Sequence, residues 1–290
     1  MEKEMVNISV ILFGKENKDL EKQTVKDIEI ISVDGEDIQS RNDAIKNAKG
    51  EYLVFVSAKD RLDENYLFYL LQGMTGAHLS TCGYDILDGG EVVYESPEST
   101  KRLMSGEEMQ CRLYYQYHYQ GYLQNKMFRT QILHSKKISF SEDLEENGDF
   151  VFLIQYLRYA KLVRMLPNIM YHFRPSISLK ERKKSEALLR ISETDGYLRC
   201  LKELPKHSDA MWLGEQTAAA SALSAYEAME NEVIKKGDDS IFAQNPMKKM
   251  AKKCLKLDYE IEDEEEERLF LGLLAYAKTG KVQLVHEEEQ

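Results

Sequence analysis

Three apolar, β-rich runs fall within the first sixty residues: NISVILF (7–13), DIEIISV (27–33) and YLVFV (52–56). Continuous apolar strands separated by helical or polar stretches predict a parallel sheet covered on both faces, hence an α/β fold. The first connection, GKENKDLEKQT, is polar and short enough for only a turn or two of helix. The second predicts a helix over Asp37–Asn47, with Ile38, Ala44, Ile45 and Ala48 on one side and Gly50 ending it. After the third strand, Asp63 is a good N-cap for a helix whose Leu67, Leu70, Leu71 and Met74 repeat at helical spacing. Such sheets bind ligands at the carboxyl ends of their strands, and the turn from Ser57 to Asp60 falls at such an end.

Beyond Leu79 the pattern changes. LSTCGYDI and EVVYES flank LDGG, a hairpin signal. Ser105 and Glu108 form a capping box, with Met104 and Met109 spaced as a hydrophobic staple. A tyrosine-rich run, YYQYHYQGY, follows; it reads as half-buried packing, with a sugar-stacking wall as the alternative. Further on come a short helix over Arg129–His134, a helix over Gly148–Tyr159 capped by Asn147, and a strand pair around KLVRML and IMYHF. The remainder is almost wholly helical in pattern. The charged run KERKK separates the two patterns, so the expected domains are residues 1–179 and a helical annex, residues 180–290.

A formal net charge of −11 disfavours nucleic acid as a general partner. No apolar run is long enough to span a bilayer, and the acidic N-terminus lacks the character of a secretory signal. The four cysteines, Cys82, Cys111, Cys200 and Cys254, are far apart and lack metal-ligand spacing, which predicts reduced thiols serving as core filler. The expected location is the cytoplasm, with peripheral placement at the inner membrane face as a variant. MKKMAKKCLKL could lie on a membrane surface, although packing within the tail helices is the favoured reading. The acidic run EIEDEEEER precedes an apolar helical pattern, where negative charge suits a helix N-terminus.

The stretch from Val25 to Leu67 resembles the nucleotide-binding half of family 2 glycosyltransferases. The matching elements are QTVKDIEIISVD, Arg41-Asn42 opening a helix, AKGEY and DENYL. Downstream, YLQNKMFR resembles that family's Asn-Lys-hydrophobic-aromatic-Arg segment, NGDFVF its acidic segment, and MYHFRPS its Tyr-His-aromatic-Arg strand. The resemblance implies a GT-A-like nucleotide-binding sandwich with a C-terminal all-helical annex. It also implies inverting transfer of a sugar from a nucleotide-diphosphate donor to a glycan or lipid-linked acceptor, with another glycosyltransferase as a further candidate partner.

By that resemblance Asp149 is the catalytic base. Asp34, Arg41, Ser57, Lys59 and Asp60 face the nucleotide sugar, and Lys126, Arg129 and His172 lie on the acceptor side. Alternatives stay open: Asp149 as an acidic first-turn residue of its helix, Arg41 as a surface ion pair, and Lys126 and Arg129 as support for a loop. The family's metal-binding Asp-x-Asp falls on Ser57-Ala58-Lys59, which supplies no hard-ion ligands. No metal is therefore expected, and Mn or Mg would require Asp60 and His172 to serve. Lys59 could replace the ion as a cation on the diphosphate, or be a solvated surface residue. Asp60 reads most simply as part of the next helix cap. His172 reads as a hydrogen-bonded, partly buried histidine. Two functions stay open: a glycosyltransferase working without metal, and a catalytically inactive relative that binds a partner or a glycan.

Overall fold

The computed structural model describes residues 7–33, 37–96, 102–115, 121–144, 146–174, 185–237, 240–242 and 245–284. The chain folds as two compact units, residues 1–142 with 149–182, and residues 143–148 with 183–290.

The first unit is built on a mixed sheet. Strands β1 (Ile8–Phe13), β2 (Ile28–Val33) and β3 (Tyr52–Ser57) pair in parallel, with β1 between the other two. The order continues through β8 (Lys126–Arg129), β5 (Leu79–Asp88), β9 (Val163–Phe173) and the two-residue β4 (Arg61–Leu62). Strand β6 (Glu91–Glu95) pairs with β5 through Gly89 and Gly90, both at positive φ, as the hairpin signal requires. Strand β7 (Arg102–Met104) pairs with β9.

KLVRML and IMYHF form one strand rather than the expected pair. Pro167 interrupts the sequence pattern without breaking β9. Its outer edge pairs with β7 at Val163–Met165 and with β4 at Tyr171–His172, so Pro167 sits in the gap between partners. Arg129 ends a strand instead of beginning a helix, and helix α5 runs over Thr130–Lys136.

Helix α1 (Lys18–Glu21) is a single turn. Helix α2 (Ile38–Asn47) is capped by Asp37, whose side chain accepts from the amides of Gln39 and Ser40. Helix α3 (Tyr66–Gly73) begins after Asn65, so Asp63 is not its N-cap. In helix α4 (Gly106–Tyr115) the Ser105 hydroxyl accepts from the Glu108 amide at 3.0 Å, half of the expected capping box. Helix α6 (Gly148–Leu157) is buried along nearly its whole length.

On one sheet face Val54, Val56 and Tyr171 pack with Tyr66, Leu67 and Leu70 of α3. On the other, Phe55 is surrounded by Phe13, Phe128, Phe140 and Phe152, with ring centroids within 5.8 Å. Alternation along β3 therefore places Ser57 on the aromatic face.

The ladder runs one residue past the strand ends: Gly14 donates to Val33 O, and Ala58 donates to Phe13 O. Gly14 has a φ of +120°, and a Cβ there would lie 2.5 Å from the Ala58 Cβ. Gly14→Ala is therefore expected to destabilise the chain by about 1–3 kcal/mol, read as a lower midpoint in urea. An unchanged midpoint would show that the β1 and β3 ends are not pressed together.

The second unit contains α7 (Glu186–Cys200), α8 (Asp209–Lys236), α9 (Asn245–Cys254) and α10 (Glu264–Thr279). Its core gathers Ala218, Ala222, Tyr226, Met229, Phe242 and Tyr276. Met247, Met250, Ala251 and Cys254 of α9 are buried in it, so the apolar face of MKKMAKKCLKL is occupied by packing and not free for a membrane. The acidic run supplies four glutamates to the first turn of α10, and Asp263 caps it by accepting from the Glu266 amide. Arg268 joins the nearly buried Glu230 at 2.9 Å. Arg199 forks onto Asp143, with N–O distances of 2.8 and 2.9 Å. No helix among the described residues is long and apolar enough to cross a membrane.

Candidate functional site

The turn after β3 is held from beneath by residues the sequence reading passed over. The Asn17 amide donates to both Ser57 O and Asp60 O at 2.9 Å, while its oxygen caps Asp19 N. Asp19 in turn accepts from the Leu62 amide. The Tyr171 hydroxyl accepts from the Ser57 amide at 3.2 Å. The backbone from 57 to 60 is thus fixed at several points. The Ser57 hydroxyl accepts from the Lys59 amide, and the Lys59 side chain stands exposed. Among the described residues, the Lys59 ammonium forms no ion pair.

Asp60 has a different role from the expected helix cap. It is 7% exposed and points inward. One carboxylate oxygen accepts from the Tyr171 hydroxyl at 2.6 Å and the other from the Arg174 amide at 2.8 Å. Burial raises its carboxyl above the usual range, against the opposing pull of those two donors.

His172 follows Tyr171 on β9 and so faces the other side of the sheet. Asp60 and His172 therefore do not converge, and both Asp60 oxygens are already used. No group of three or more His, Cys, Asp or Glu among the described residues could hold a metal ion. The described residues do not fit the divalent cation that the family resemblance would imply.

Asp149 and Arg41 do come together. Asp149 opens α6, and its carboxylate lies 3.9 Å from the Arg41 guanidinium of α2. Arg41 stacks over the Phe13 ring at 4.5 Å and over Phe140 at 5.6 Å, which fixes its direction. Its neighbour Asn42, buried, locks the Phe140 loop by exchanging two hydrogen bonds with the Phe140 backbone. The Asp149 side chain keeps 33% of its surface while protein encloses it on the remaining sides. Burial raises its carboxyl above the usual range; Arg41 and then Lys126 oppose the rise. A half-buried carboxylate with a fixed cation beside it has the geometry of a general base.

The acceptor-side expectations divide. Arg129 pairs with Tyr52 at the start of β3, five residues or roughly 16 Å from Ser57. There it donates to Ala77 O and Met74 O, closing the end of α3, and pairs with Glu51. It cannot line the same site as Lys59. Lys126 is 1% exposed, so it lines no acceptor surface; its ammonium donates to Tyr122 O and Asn125 Oδ1. His172 is partly open, at 22% side-chain exposure. Its Nδ1 meets both oxygens of the buried Asp85, at 2.8 and 2.9 Å, and its Nε2 points toward Asp63 at 3.6 Å.

Asp34 lies outside the described residues, as does most of the tyrosine-rich run. Of that run, Tyr122 packs with Tyr84 and Phe173. This packing uses Tyr122 structurally.

No family model matches the sequence, and no curated protein matches it. Solved structures do match. S. aureus TarS 1-349 in complex with UDP-GlcNAc aligns with a TM-score of 0.60 at 15% identity, over 94% of this chain and 87% of that one. The same TarS fragment in complex with UDP gives 0.60 at 14% identity, over 98% of both chains. A longer TarS chain gives 0.61 at 15% identity, over 94% of this chain and 52% of that one. At such identity the likeness is one of backbone architecture: the chain has a GT-A-like fold, shared with TarS.

Proposed function

We propose that this protein binds a nucleotide-diphosphate sugar and transfers the sugar to a hydroxyl of a glycan or lipid-linked acceptor, as in building a surface polysaccharide or glycoconjugate. The observation that carries this reading is the half-buried Asp149, held by Arg41 at 3.9 Å, on the sheet face that also carries Ser57. Asp149 takes the acceptor hydroxyl proton as the acceptor oxygen forms its bond to the sugar anomeric carbon. The bond from that carbon to the donor phosphate breaks, and its electron pair leaves with the diphosphate. Inversion follows from attack opposite the leaving group. Arg41 orients Asp149, and this use replaces the expected contact with the phosphates. Lys59 supplies positive charge to the leaving diphosphate, a task a divalent cation would otherwise perform.

TarS has been solved with UDP and with UDP-GlcNAc, which makes UDP the first probe. Calorimetric titration with UDP is expected to show binding in chelator, with no gain from manganese. Lys59→Ala is expected to weaken that binding roughly fivefold, about 1 kcal/mol for an exposed charge-assisted contact. Binding only in manganese would overturn the metal-free reading, and unchanged affinity in Lys59→Ala would remove its role.

The second reading, a catalytically inactive protein that binds a glycan or a partner glycosyltransferase, is favoured by one observation. Asp60, the carboxylate nearest the lost metal motif, has both oxygens committed inside the fold. Absence of UDP binding under every condition would make this the better account.

A further inference from the structure

Helix α9 buries one side and carries lysines on the other. Met247, Met250, Ala251 and Cys254 are at most 4% exposed, whereas Lys249, Lys252, Lys253 and Lys256 are exposed. Their spacing of three and four residues sets them in one row about 10 Å long. Lys256 stands just past the helix. There its amide donates to Lys253 O and the Leu255 amide to Ala251 O, so the winding continues far enough to keep it in line. The opposite side is packed into the core of this unit, so the row faces outward in a fixed direction.

The row lacks counter-charge. Elsewhere in this unit Arg190, Arg199, Lys236 and Arg268 each meet a carboxylate. Among the described residues none of the four lysines forms an ion pair, in a chain whose formal net charge is −11. The helix C-terminus favours Lys252 and Lys253 in the last turn of α9, but Lys249 stands a turn earlier. Lys248 is engaged differently: its ammonium lies at the end of α10, 3.7 Å from where a Cβ on Gly280 would sit. The acidic connection that follows the row is drawn to the other side. Gln216 of α8 binds the Asp258 carbonyl and the Glu260 amide, and α8 meets α9 on its buried side, where the Cys254 thiol lies 3.9 Å from Ala218 O. Like charges three and four apart on a helix repel, so an anionic surface laid against the row relieves it.

We propose that the α9 lysine row docks this unit on an anionic bilayer, its ammonium groups meeting lipid phosphates. Contact is by charge alone, because the apolar side of α9 is already buried; the helix lies on the headgroups and does not insert. A bilayer suits the row better than a soluble polyanion. Mobile anionic lipids gather beneath a short row, while the net negative charge of the chain repels a polymer that extends past it. Docking does not rest on the transferase reading; where both hold, it keeps the protein where a lipid-linked acceptor lies.

The test is co-sedimentation of the full chain with two sets of vesicles, phosphatidylcholine alone and phosphatidylcholine mixed equally with phosphatidylglycerol. Binding is expected to the mixed vesicles only, falling steeply as salt is raised. Each lysine removed is expected to weaken partitioning about fivefold, so Lys249→Gln with Lys252→Gln loses roughly twenty-five-fold. Lys26→Gln with Lys46→Gln, at two exposed lysines of the first unit, changes net charge equally and is expected to leave binding unchanged. Failure to bind mixed vesicles, equal loss in the two double variants, or unchanged binding in the α9 variant overturns the proposal. Binding to heparin through the same lysines, in a chain that ignores vesicles, also overturns it and makes the row a site for a soluble polyanion.

Discussion

Asp149→Asn is expected to lower sugar transfer by about 10²–10⁴-fold, the usual contribution of a positioned general base, while leaving UDP affinity unchanged. Asparagine fills the same space beside Arg41 but cannot accept the hydroxyl proton. The loss should therefore fall on turnover and spare donor binding. The pH profile supplies a second check. Burial raises the Asp149 carboxyl above its ordinary value; a base works only when deprotonated, so the rate should rise as pH climbs through that raised value. The rising limb should vanish from the residual activity of Asp149→Asn. A variant with full transfer would remove Asp149 from the reaction. One that also lost UDP binding would mean that the carboxylate holds the site together instead of moving a proton.

Much of this arrangement could be read from the chain because it is local. Three apolar runs with a helix between the second and third predict a parallel sheet, though not its β2–β1–β3 order, and GG between two alternating runs predicts the β5–β6 hairpin. Arg41 and Asp149 were singled out by resemblance, one for the nucleotide sugar and one as base; that the fold brings them within ion-pair distance of each other was not expected. The illegible parts depend on pairings across the chain. Arg129 looked like a site residue because YLQNKMFR resembles the family's Asn-Lys-hydrophobic-aromatic-Arg segment. Antiparallel β8 instead carries it to the start of β3, away from the strand ends that bind ligand. Asn17, 40 residues from Ser57, gives no signal for its role beyond suitability as a helix cap. Asp85 lies in the middle of a hairpin strand and becomes a partner of His172 only through the β5–β9 pairing. Asp60 was visible, but its direction was not. One residue past the motif positions Ser57-Ala58-Lys59 is enough to move a carboxylate from the cleft into the interior.

That inward turn carries the second large effect. Tyr171→Phe removes the donor to one Asp60 oxygen and the acceptor for the Ser57 amide, at a tyrosine that is fully buried. A hydrogen bond to a buried charged group contributes about 1.5–3 kcal/mol, so a loss of this size is expected at neutral pH. The loss should itself depend on pH. Asp60 has a raised pKa in the folded protein, because burial outweighs its donors. The folded state therefore binds this proton more tightly than the unfolded chain, and stability falls as pH rises from the ordinary aspartate value through the raised one. The Tyr171 bond limits that rise; without it the folded value moves higher. The Asp60 part of the cost of Tyr171→Phe should thus be full above the variant's raised value and shrink toward zero below the ordinary one, leaving only the pH-independent loss of the Ser57 amide's acceptor. Urea unfolding at neutral pH and near pH 4, close to the ordinary aspartate value of 3.8, would measure the difference. An equal loss at both would mean that Tyr171 acts through the Ser57 amide alone and that Asp60 has another donor. A larger loss at neutral pH would identify the Asp60 carboxylate as an internal anchor of the β3 turn, which presents Lys59 to solvent while Asp60 is held within the fold.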